Sequence, residues 1–527
     1  MPVLARHGMV NSSSPLAAQA GLRMLLKGGN AVDAAVATAI TLTVVEPWVN
    51  GIGSDSFTMV WSDGKLHGLN ASGRSPAAFT PELFEKLGHK VMPQHGWATV
   101  TVPGAVGAWR DLHKRFGRLP FETLFEPALD YAENGIALAP ETAYSWALGQ
   151  RNFKASLHGP EFEGWFSTFM PDGREAHPGD IWTLPDHAKT LRLIAESKGE
   201  SFYRGALAEQ FAAFAAKTGG YITVDDLAAH VSEWVDPISV NYRGYDVWEM
   251  PPNGSGIAAL QALAIMEGYD VPEHPRDSAE TWHREIEAMK LAYADALRYI
   301  ADPEHVAVPV GLLLDKDYAA AQRALIGDEA LEPTAGDPPP GGTVYLCTAD
   351  SDGMMVSMIQ SNYNGFGSGV VVPGTGISLQ NRARGFSLQP GHPNQIAPRK
   401  RPYHTIIPGF LTQDGAPIGP FGLMGGAMQP QGHLQILVNQ IDYGMNPQTS
   451  LDAPRWRWMT GKQVAVERAT PPEVVRGLEA RGHQVVVAEN GPVLNAGFGR
   501  GQIIRRLANG TYVGGSEPRA DGASVGY

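Results

Sequence analysis

The sequence predicts an α+β fold in which sheets are covered by helices. The first half of the chain is dominated by apolar residues at helical spacing, and the second half by short alternating runs that are typical of strands, with helices between them. A content of 43% hydrophobic and 18% charged residues over 527 positions is typical of a globular protein with a large core. Because helices and sheets must both bury an apolar face, this mixture favours sheets packed against helices.

Charge and composition restrict the partners. The net charge of −13 disfavours nucleic acid and anionic membranes. The single cysteine, Cys347, cannot form an intramolecular disulfide, and no Cys/His spacing resembles a zinc site. The first residues lack the apolar core of a secretory signal, and the apolar segment 31–45 is too short to span a bilayer. We therefore expect a cytoplasmic protein.

The first elements are predicted to be helical. Residues 15–27 have apolar side chains at three-to-four spacing and end at Gly28 and Gly29, and residues 31–45 are apolar nearly all round, which predicts an interior helix. Residues 51–72 alternate around the turn Ser62-Asp63-Gly64, which predicts a β-hairpin.

Further helices are predicted within residues 105–140 and 186–232 and over residues 283–300. Residues 242–252, YRGYDVWEMPP, predict one strand that two prolines end. Residues 315–342 are rich in Ala, Glu, Asp, Pro and Gly and finish in PPPGG, which predicts an exposed, extended connection.

The chain after this connection is predicted to begin with two strands, 343–350 and 354–361, joined by a Ser-Asp-Gly turn. Glycine-rich turns follow around Phe366 and over residues 373–376. A helix is predicted over residues 428–444, and strands near residues 485–490 and 501–507.

Thr343 is the first candidate catalytic residue. A threonine hydroxyl is a weak nucleophile unless a base lies beside it, and the α-amino group of a chain terminus, with a pKa of about 7.7 to 8.0, is such a base. Cutting the Gly342–Thr343 bond would place both groups on one residue, and Gly342 tolerates the strained geometry that an N-to-O acyl shift requires. On this spacing alone, a flexible loop that enters a hairpin is the commoner interpretation.

Longer motifs favour the catalytic interpretation. Taken together they resemble the γ-glutamyltransferase family of N-terminal-nucleophile hydrolases over nearly the whole chain. The downstream motifs are residues 343–381, 376–391, 400–408, 422–448 and 514–527, and the upstream motifs are residues 28–40, 98–135, 201–205, 227–252 and 286–303. The resemblance implies a four-layer αββα sandwich and self-cleavage into segments 1–342 and 343–527. It also implies that no cofactor or metal is needed.

The resemblance assigns roles to four residues. Thr343 matches the catalytic threonine, and Ser361 stands where the family has a second threonine that hydrogen-bonds the terminal amine. Serine keeps the hydroxyl that this orienting role requires. Gly425 and Gly426 match a glycine pair whose backbone N–H groups stabilise the oxyanion.

The substrate pocket departs from the transferase pattern. The family meets the substrate ammonium with a glutamine and an acidic residue, but this chain has Arg382 and Gly385 there. An arginine fork suits a carboxylate instead of an ammonium. For Arg382 and Arg384, solvated surface charges remain the alternative interpretation.

Three further residues are candidates for binding a carboxylate. His404 and Thr405 replace the family's serine pair, although a structural histidine is an equally good interpretation of His404. Arg74 lies two residues beyond the position of an expected arginine. The segment 390–399 is too short to form the lid of bacterial transferases, and an open site favours attack by water.

These features predict an autoprocessing threonine amidohydrolase for a small amide that carries a carboxylate. Within the family, the oxamate amidohydrolase branch is the most similar, which implies hydrolysis of oxamate to oxalate and ammonia in purine breakdown. The alternatives are a glutaryl or cephalosporin-type acylase, a γ-glutamyl hydrolase or transferase, and an unprocessed binding protein on the same fold. Expected partners are the two fragments of the chain itself, which could assemble as a dimer of heterodimers.

Overall fold

The computed structural model describes residues 1–333, 342–489 and 497–527. Its strands are β1 (Val3–Ala5), β2 (Met9–Ser12), β3 (Asp55–Ser62), β4 (Lys65–Ala71), β5 (Ile136–Ala137), β6 (Ile181–Trp182), β7 (Glu233–Val235), β8 (Ile238–Tyr242), β9 (Tyr245–Glu249), β10 (Gly342–Ala349), β11 (Met355–Tyr363), β12 (Val371–Val372), β13 (Ile377–Ser378), β14 (Gly409–Gln413), β15 (Ala416–Met424), β16 (Trp456–Thr460), β17 (Gln463–Val466), β18 (Gln484–Val487), β19 (Arg500–Arg506), β20 (Tyr512–Ser516) and β21 (Ala523–Gly526).

The α-helices of the described residues alternate with these strands along the chain. They are α1 (Pro15–Leu26), α2 (Ala31–Val45), α3 (Pro81–Lys86), α4 (Ala105–Phe116), α5 (Glu126–Asn134), α6 (Pro140–Ser156), α7 (Glu163–Phe169), α8 (Pro185–Glu196), α9 (Glu200–Arg204), α10 (Ala206–Thr218), α11 (Val224–Ala228), α12 (Gly256–Met266), α13 (Ala279–Tyr299), α14 (Val310–Leu313), α15 (Lys316–Arg323), α16 (Met428–Ile441), α17 (Pro447–Asp452) and α18 (Pro472–Ala480). Short 3-10 helices occupy Trp97–Thr99, Phe121–Phe125, Pro160–Phe162, Pro171–Gly173, Val271–Glu273 and Arg382–Gly385.

Two antiparallel seven-stranded sheets form the centre of the molecule. Their strand orders are β1-β20-β19-β15-β14-β9-β8 and β21-β2-β10-β11-β3-β4-β7. Alternation along β10 shows how the layers are built: Tyr345 and Cys347 face an apolar core shared with β14 and β19 of the other sheet, whereas Val344 and Leu346 face the helices. Each sheet therefore packs on the other through one face and on helices through its opposite face.

Helices cover both outer faces. Every residue of α2 is buried against the sheet that contains β10, and Asn30 and Asp33 close its N-terminus in a capping box. Helices α12, α13 and α16 share an apolar cluster with Val247, Phe421 and Ile503 of the other sheet. This arrangement is a four-layer αββα sandwich, as expected.

Many of the predicted elements are confirmed. Helices α1 and α2, the hairpin of β3 and β4, the hairpin of β10 and β11, and helices α13 and α16 lie where the patterns place them. In the described part of the chain, no helix combines the length and apolarity that crossing a membrane requires.

Two predictions are wrong in part. Residues 242–252 do not form one strand, because Arg243 and Gly244, with φ of 52° and 82°, make the turn between β8 and β9. The connection 315–342 is not extended throughout, since Asp315 caps helix α15 by accepting from the N–H groups of Asp317 and Tyr318. Residues 334–341, which include the three prolines and Gly341, lie outside the described residues.

Candidate active site

Thr343 lies at an irregular point of the sheet. Gly342 pairs with Tyr363 and Val344 pairs with Gln360, so the register between β10 and β11 shifts at Thr343. Such a bulge changes the direction of a side chain relative to the ladder. Thr343 is 1% exposed and its Oγ1 lies 3.0 Å from the Oγ of Ser361 on β11. The two hydroxyl residues that the sequence singles out are therefore in contact.

Ser361 connects the nucleophile to the bond that precedes it. Its hydroxyl donates to the carbonyl oxygen of Gly342 at 2.8 Å and accepts from the backbone N–H of Tyr363 at 2.8 Å. The structure thus places a hydrogen-bond donor on the carbonyl of the predicted cleavage site.

Arg382 is buried beneath these hydroxyl groups. It is 0% exposed, and its terminal nitrogens donate to Ser361 Oγ and Thr405 Oγ1, each at 3.1 Å. Its guanidinium also lies over the ring of Tyr363, 4.4 Å from the centroid. The solvated interpretation of Arg382 is therefore wrong, because burial allows the charge only where partners surround it. Arg384 is half-buried and donates to Asn364 Oδ1 at 2.7 Å.

Asp55 is the partner of Arg382, and sequence reasoning missed it. It lies on β3 directly opposite Ser361, and its Oδ2 is 3.3 Å from Arg382 Nε. Burial raises the pKa of Asp55 to about 7, against the opposing effect of Arg382. Asp55 stands between two serines immediately before the mostly apolar run FTMVW, and a carboxylate at that place was the one signal that could have identified it.

His404 supports Asp55 and does not contact Thr343. Its Nε2 lies 3.2 Å from Asp55 Oδ2, and its Nδ1 accepts from the N–H of Ile406 at 3.4 Å. Nδ1 therefore carries no proton and Nε2–H donates to the carboxylate. Burial and the nearby Arg382 and Arg401 hold the pKa of His404 well below its usual range, so the ring is neutral.

Gly425 and Gly426 form the turn between β15 and α16. Their φ values of 135° and 59° are conformations that glycine adopts readily, and their carbonyls begin the helix by accepting from Met428 and Gln429. Gly422, three residues earlier, packs against the ring of Tyr345 on β10. The turn thus follows β15, a strand that packs against β10. The role of Gly425 and Gly426 in stabilising the oxyanion remains a prediction.

Arg74 belongs to a different cluster. Its guanidinium contacts Asp302 at 3.2 Å, Glu233 at 3.0 Å and Glu304 at 2.5 Å. Arg401 shares Glu233 at 2.7 Å. The structure therefore gives Arg74 three carboxylates of the chain itself as partners, and does not bring it to the Thr343 hydroxyl.

A cavity of about 850 Å³ adjoins Tyr363, the residue paired with Gly342. Its lining includes Lys90, Arg298 and Arg384, and contains no Asp or Glu among the described residues. None of these three cations has an ion-pair partner within the described ranges. In a protein with a net charge of −13, this wall is locally positive and suits an anionic group.

Comparisons with known proteins agree with this geometry. The family model "Gamma-glutamyltranspeptidase" matches residues 17–527. The chain is 37% identical to the glutathione hydrolase-like YwrD proenzyme of Bacillus subtilis, with 99% of each chain covered, and 34% identical to the oxamate amidohydrolase proenzyme of Klebsiella pneumoniae, again with 99% of each covered. A crystal structure of cephalosporin acylase from Bacillus halodurans is 52% identical with a TM-score of 0.96, covering 100% of this chain and 97% of the other. The chain therefore belongs to the gamma-glutamyltranspeptidase family and is an enzyme of its amidohydrolase type.

Proposed function

We propose that this chain is an autoprocessing threonine amidohydrolase whose substrates are amides with a carboxylate on the acyl side. The observation that carries the proposal is the contact of Thr343 and Ser361 beside a cavity with three unpaired cations. The cavity is lined by Tyr363, which pairs with Gly342, and its positive, carboxylate-free wall is suited to acyl groups that end in an anion.

Maturation would begin at the Gly342–Thr343 bond. The Ser361 hydroxyl, which donates to the Gly342 carbonyl at 2.8 Å, polarises the carbon that Thr343 Oγ1 attacks. The C–O bond forms, the C–N bond breaks and the hydroxyl proton passes to the Thr343 nitrogen, so that an ester replaces the amide and the nitrogen becomes an amine. Water then hydrolyses the ester and leaves Thr343 as a chain terminus with its own base.

Turnover would repeat this chemistry on the substrate. The terminal amine takes the proton of the Thr343 hydroxyl, the oxygen attacks the amide carbonyl, and the proton passes to the departing amine. Gly425 and Gly426 are the proposed donors to the oxyanion. Water releases the acid from the acyl-enzyme and restores the hydroxyl.

The cavity favours an acyl group of glutaryl length. Arg384, Arg298 and Lys90 line a volume of about 850 Å³, which exceeds what a two-carbon acid fills. Arg382 already pairs with Asp55, so a carboxylate that bound it would have to compete with a buried partner. The structural neighbour named cephalosporin acylase is consistent with a longer acyl chain.

Oxamate is the second candidate substrate. Its carboxylate adjoins the amide, so only a cation beside Thr343 could reach it, and Arg382 lies 3.1 Å from Ser361. The 34% identity to the Klebsiella pneumoniae oxamate amidohydrolase proenzyme supports this candidate. The rate of hydrolysis to oxalate and ammonia would then depend on Arg382 and would not change on substitution of Arg298.

Side-by-side hydrolysis of glutaryl-p-nitroanilide, γ-glutamyl-p-nitroanilide and oxamate tests the proposal. We expect the glutaryl compound to have the highest kcat/KM, and Arg298→Gln to raise its KM several-fold at unchanged kcat. A clear preference for the γ-glutamyl compound would contradict the proposed pocket, because its ammonium has no carboxylate to meet in the cavity.

A further inference from the structure

Gly342 lies close to one lining residue of each of two cavities. A Cβ built on Gly342 would be 3.7 Å from the carbonyl oxygen of Tyr363 and 3.5 Å from the backbone nitrogen of Gly365. Tyr363 lines the cationic cavity, and Gly365 lines a second cavity of about 590 Å³. Any amide that Thr343 cleaves has two parts that leave the carbonyl in different directions, and the two cavities offer each part a separate place.

The walls of the second cavity are aromatic and uncharged. Trp48, Phe153 and Phe366 supply its apolar surface, and among its described lining residues there is no Lys, Arg, Asp or Glu. His95 is the one titratable group in this wall, and burial lowers its pKa, so the ring is neutral near pH 7. The uncharged wall of this second cavity contrasts with the positively charged wall of the first cavity, which Tyr363 lines.

Two residues that line the second cavity each carry a buried polar atom without a partner among the described residues. The indole Nε1 of Trp48 and the ring Nδ1 of His95 have no hydrogen-bond partner among the described residues. Buried donors and acceptors without partners are uncommon in folded proteins and point to a ligand or water that completes them.

We infer that this second cavity binds the amine part of the substrate, and that the amine is neutral, flat and apolar, such as an aromatic amine. The inference rests on the proposed function, which assigns the cationic cavity to the acyl part. Aromatic walls favour a planar ring. An amine part with its own carboxylate, as in an amino acid or a peptide, would lose hydration in this cavity without gaining a cation.

A matched pair of substrates tests the inference on the self-cleaved enzyme. Glutaryl-anilide and glutaryl-(4-carboxyanilide) share one acyl group and similar leaving-group reactivity, but only the second has a charge on the amine side. We expect kcat/KM to be at least about tenfold lower for the carboxyanilide, mainly through KM. Equal values for the two anilides would overturn the inference and leave the proposed function intact.

Asn152→Arg supplies the missing cation and sharpens the test. Asn152 is exposed on α6 and lines the second cavity, so the substitution should not disturb folding. We expect it to raise kcat/KM for the carboxyanilide about tenfold relative to the value for the anilide, while Asn152→Gln, which adds no charge, leaves the ratio of the two values unchanged. No change with arginine would count against the assignment of this cavity to the amine.

Direct binding separates the inference from the proposed function. If neither anilide is hydrolysed, the glutaryl assignment in the proposed function is wrong, but titration calorimetry with aniline and 4-aminobenzoate still tests the cavity. The inference predicts that the wild type binds aniline more tightly and that Asn152→Arg reverses the order. The opposite order in the wild type would overturn it.

Discussion

Two arginine clusters, both singled out by sequence as carboxylate sites, differ in what they touch. Arg382 has one carboxylate partner, Asp55, and uses its other nitrogens on the hydroxyl groups of Ser361 and Thr405. Arg74 has three carboxylate partners and one backbone carbonyl. The first cluster holds the side chain that contacts the nucleophile, whereas the second joins segments that are distant in the chain.

The difference lies in how fully each positive charge is neutralised. The three carboxylates around Arg74 neutralise its positive charge, so none of that charge is left to bind a substrate carboxylate. The same ion pairs connect β7 and the segment after α13 to the loop that follows β4. Arg382 has a single carboxylate in a fully buried setting, and polar hydroxyl groups complete its surroundings. We therefore expect substitutions to alter chemistry in the first cluster and stability in the second.

The largest expected effect is at Thr343, the residue that the Arg382 cluster serves. Thr343→Ala removes the nucleophile, so the chain should remain at full length and amide hydrolysis should fall to background. Denaturing electrophoresis after prolonged incubation measures the first result. The wild type should give two bands, the smaller beginning Thr343-Val344-Tyr345 by N-terminal sequencing. A full-length wild type that is nevertheless active would refute the mechanism.

The next effect is expected at Arg382. Arg382→Lys keeps the charge but cannot reach Asp55, Ser361 and Thr405 together, because lysine lacks the planar fork. We expect kcat to fall about 100-fold and self-cleavage to slow, as when an orienting hydrogen bond beside a nucleophile is lost. Circular dichroism should still show a folded protein. An unchanged kcat would place Arg382 with Arg74 as a structural residue.

Local patterns were sufficient to predict most of the fold near the site. The alternation of apolar residues along β10 and β11 and the turn between these strands depend on residues that are adjacent in the sequence. The position of Thr343 at the start of a strand could be predicted for the same reason. Residues 242–252 were misjudged because Arg243 adopts a positive φ, which sequence patterns rarely signal outside glycine and asparagine.

The partners of the arginines could not be predicted in this way. Asp55 lies 327 positions from Arg382, and Glu233 and Asp302 lie 159 and 228 positions from Arg74. Whether an arginine binds substrate or the chain depends on which carboxylates the fold brings to it. The resemblance to a family singled out Ser361 and Thr343, whose hydroxyl groups the structure brings into contact, but Asp55 and the cationic cavity required the structure.

A smaller, pH-dependent effect is expected at Asp55. Burial raises its pKa from 3.8 to about 7, so the folded chain keeps this proton up to a higher pH than the unfolded chain does. The stability that this group contributes is present below pH 4 and is lost as the pH rises through 7. The Tm of Asp55→Asn relative to the wild type should therefore rise between pH 4 and pH 7. A difference in Tm that does not vary with pH would show that Asp55 stays ionised throughout.

The smallest effect is expected at Arg74, and it completes the contrast. Arg74→Gln breaks ion pairs in which the side chains of Arg74, Glu233 and Glu304 are 25%, 38% and 55% exposed, so solvent screens much of their energy. We expect kcat/KM for glutaryl-p-nitroanilide to change less than twofold, and Tm to fall by a few degrees because buried Asp302 loses a partner. Arg74→Lys, which keeps a charge near Asp302, should recover part of that loss. A large rise in KM with an unchanged Tm would reverse the comparison, since it would make Arg74 the residue that meets the substrate carboxylate.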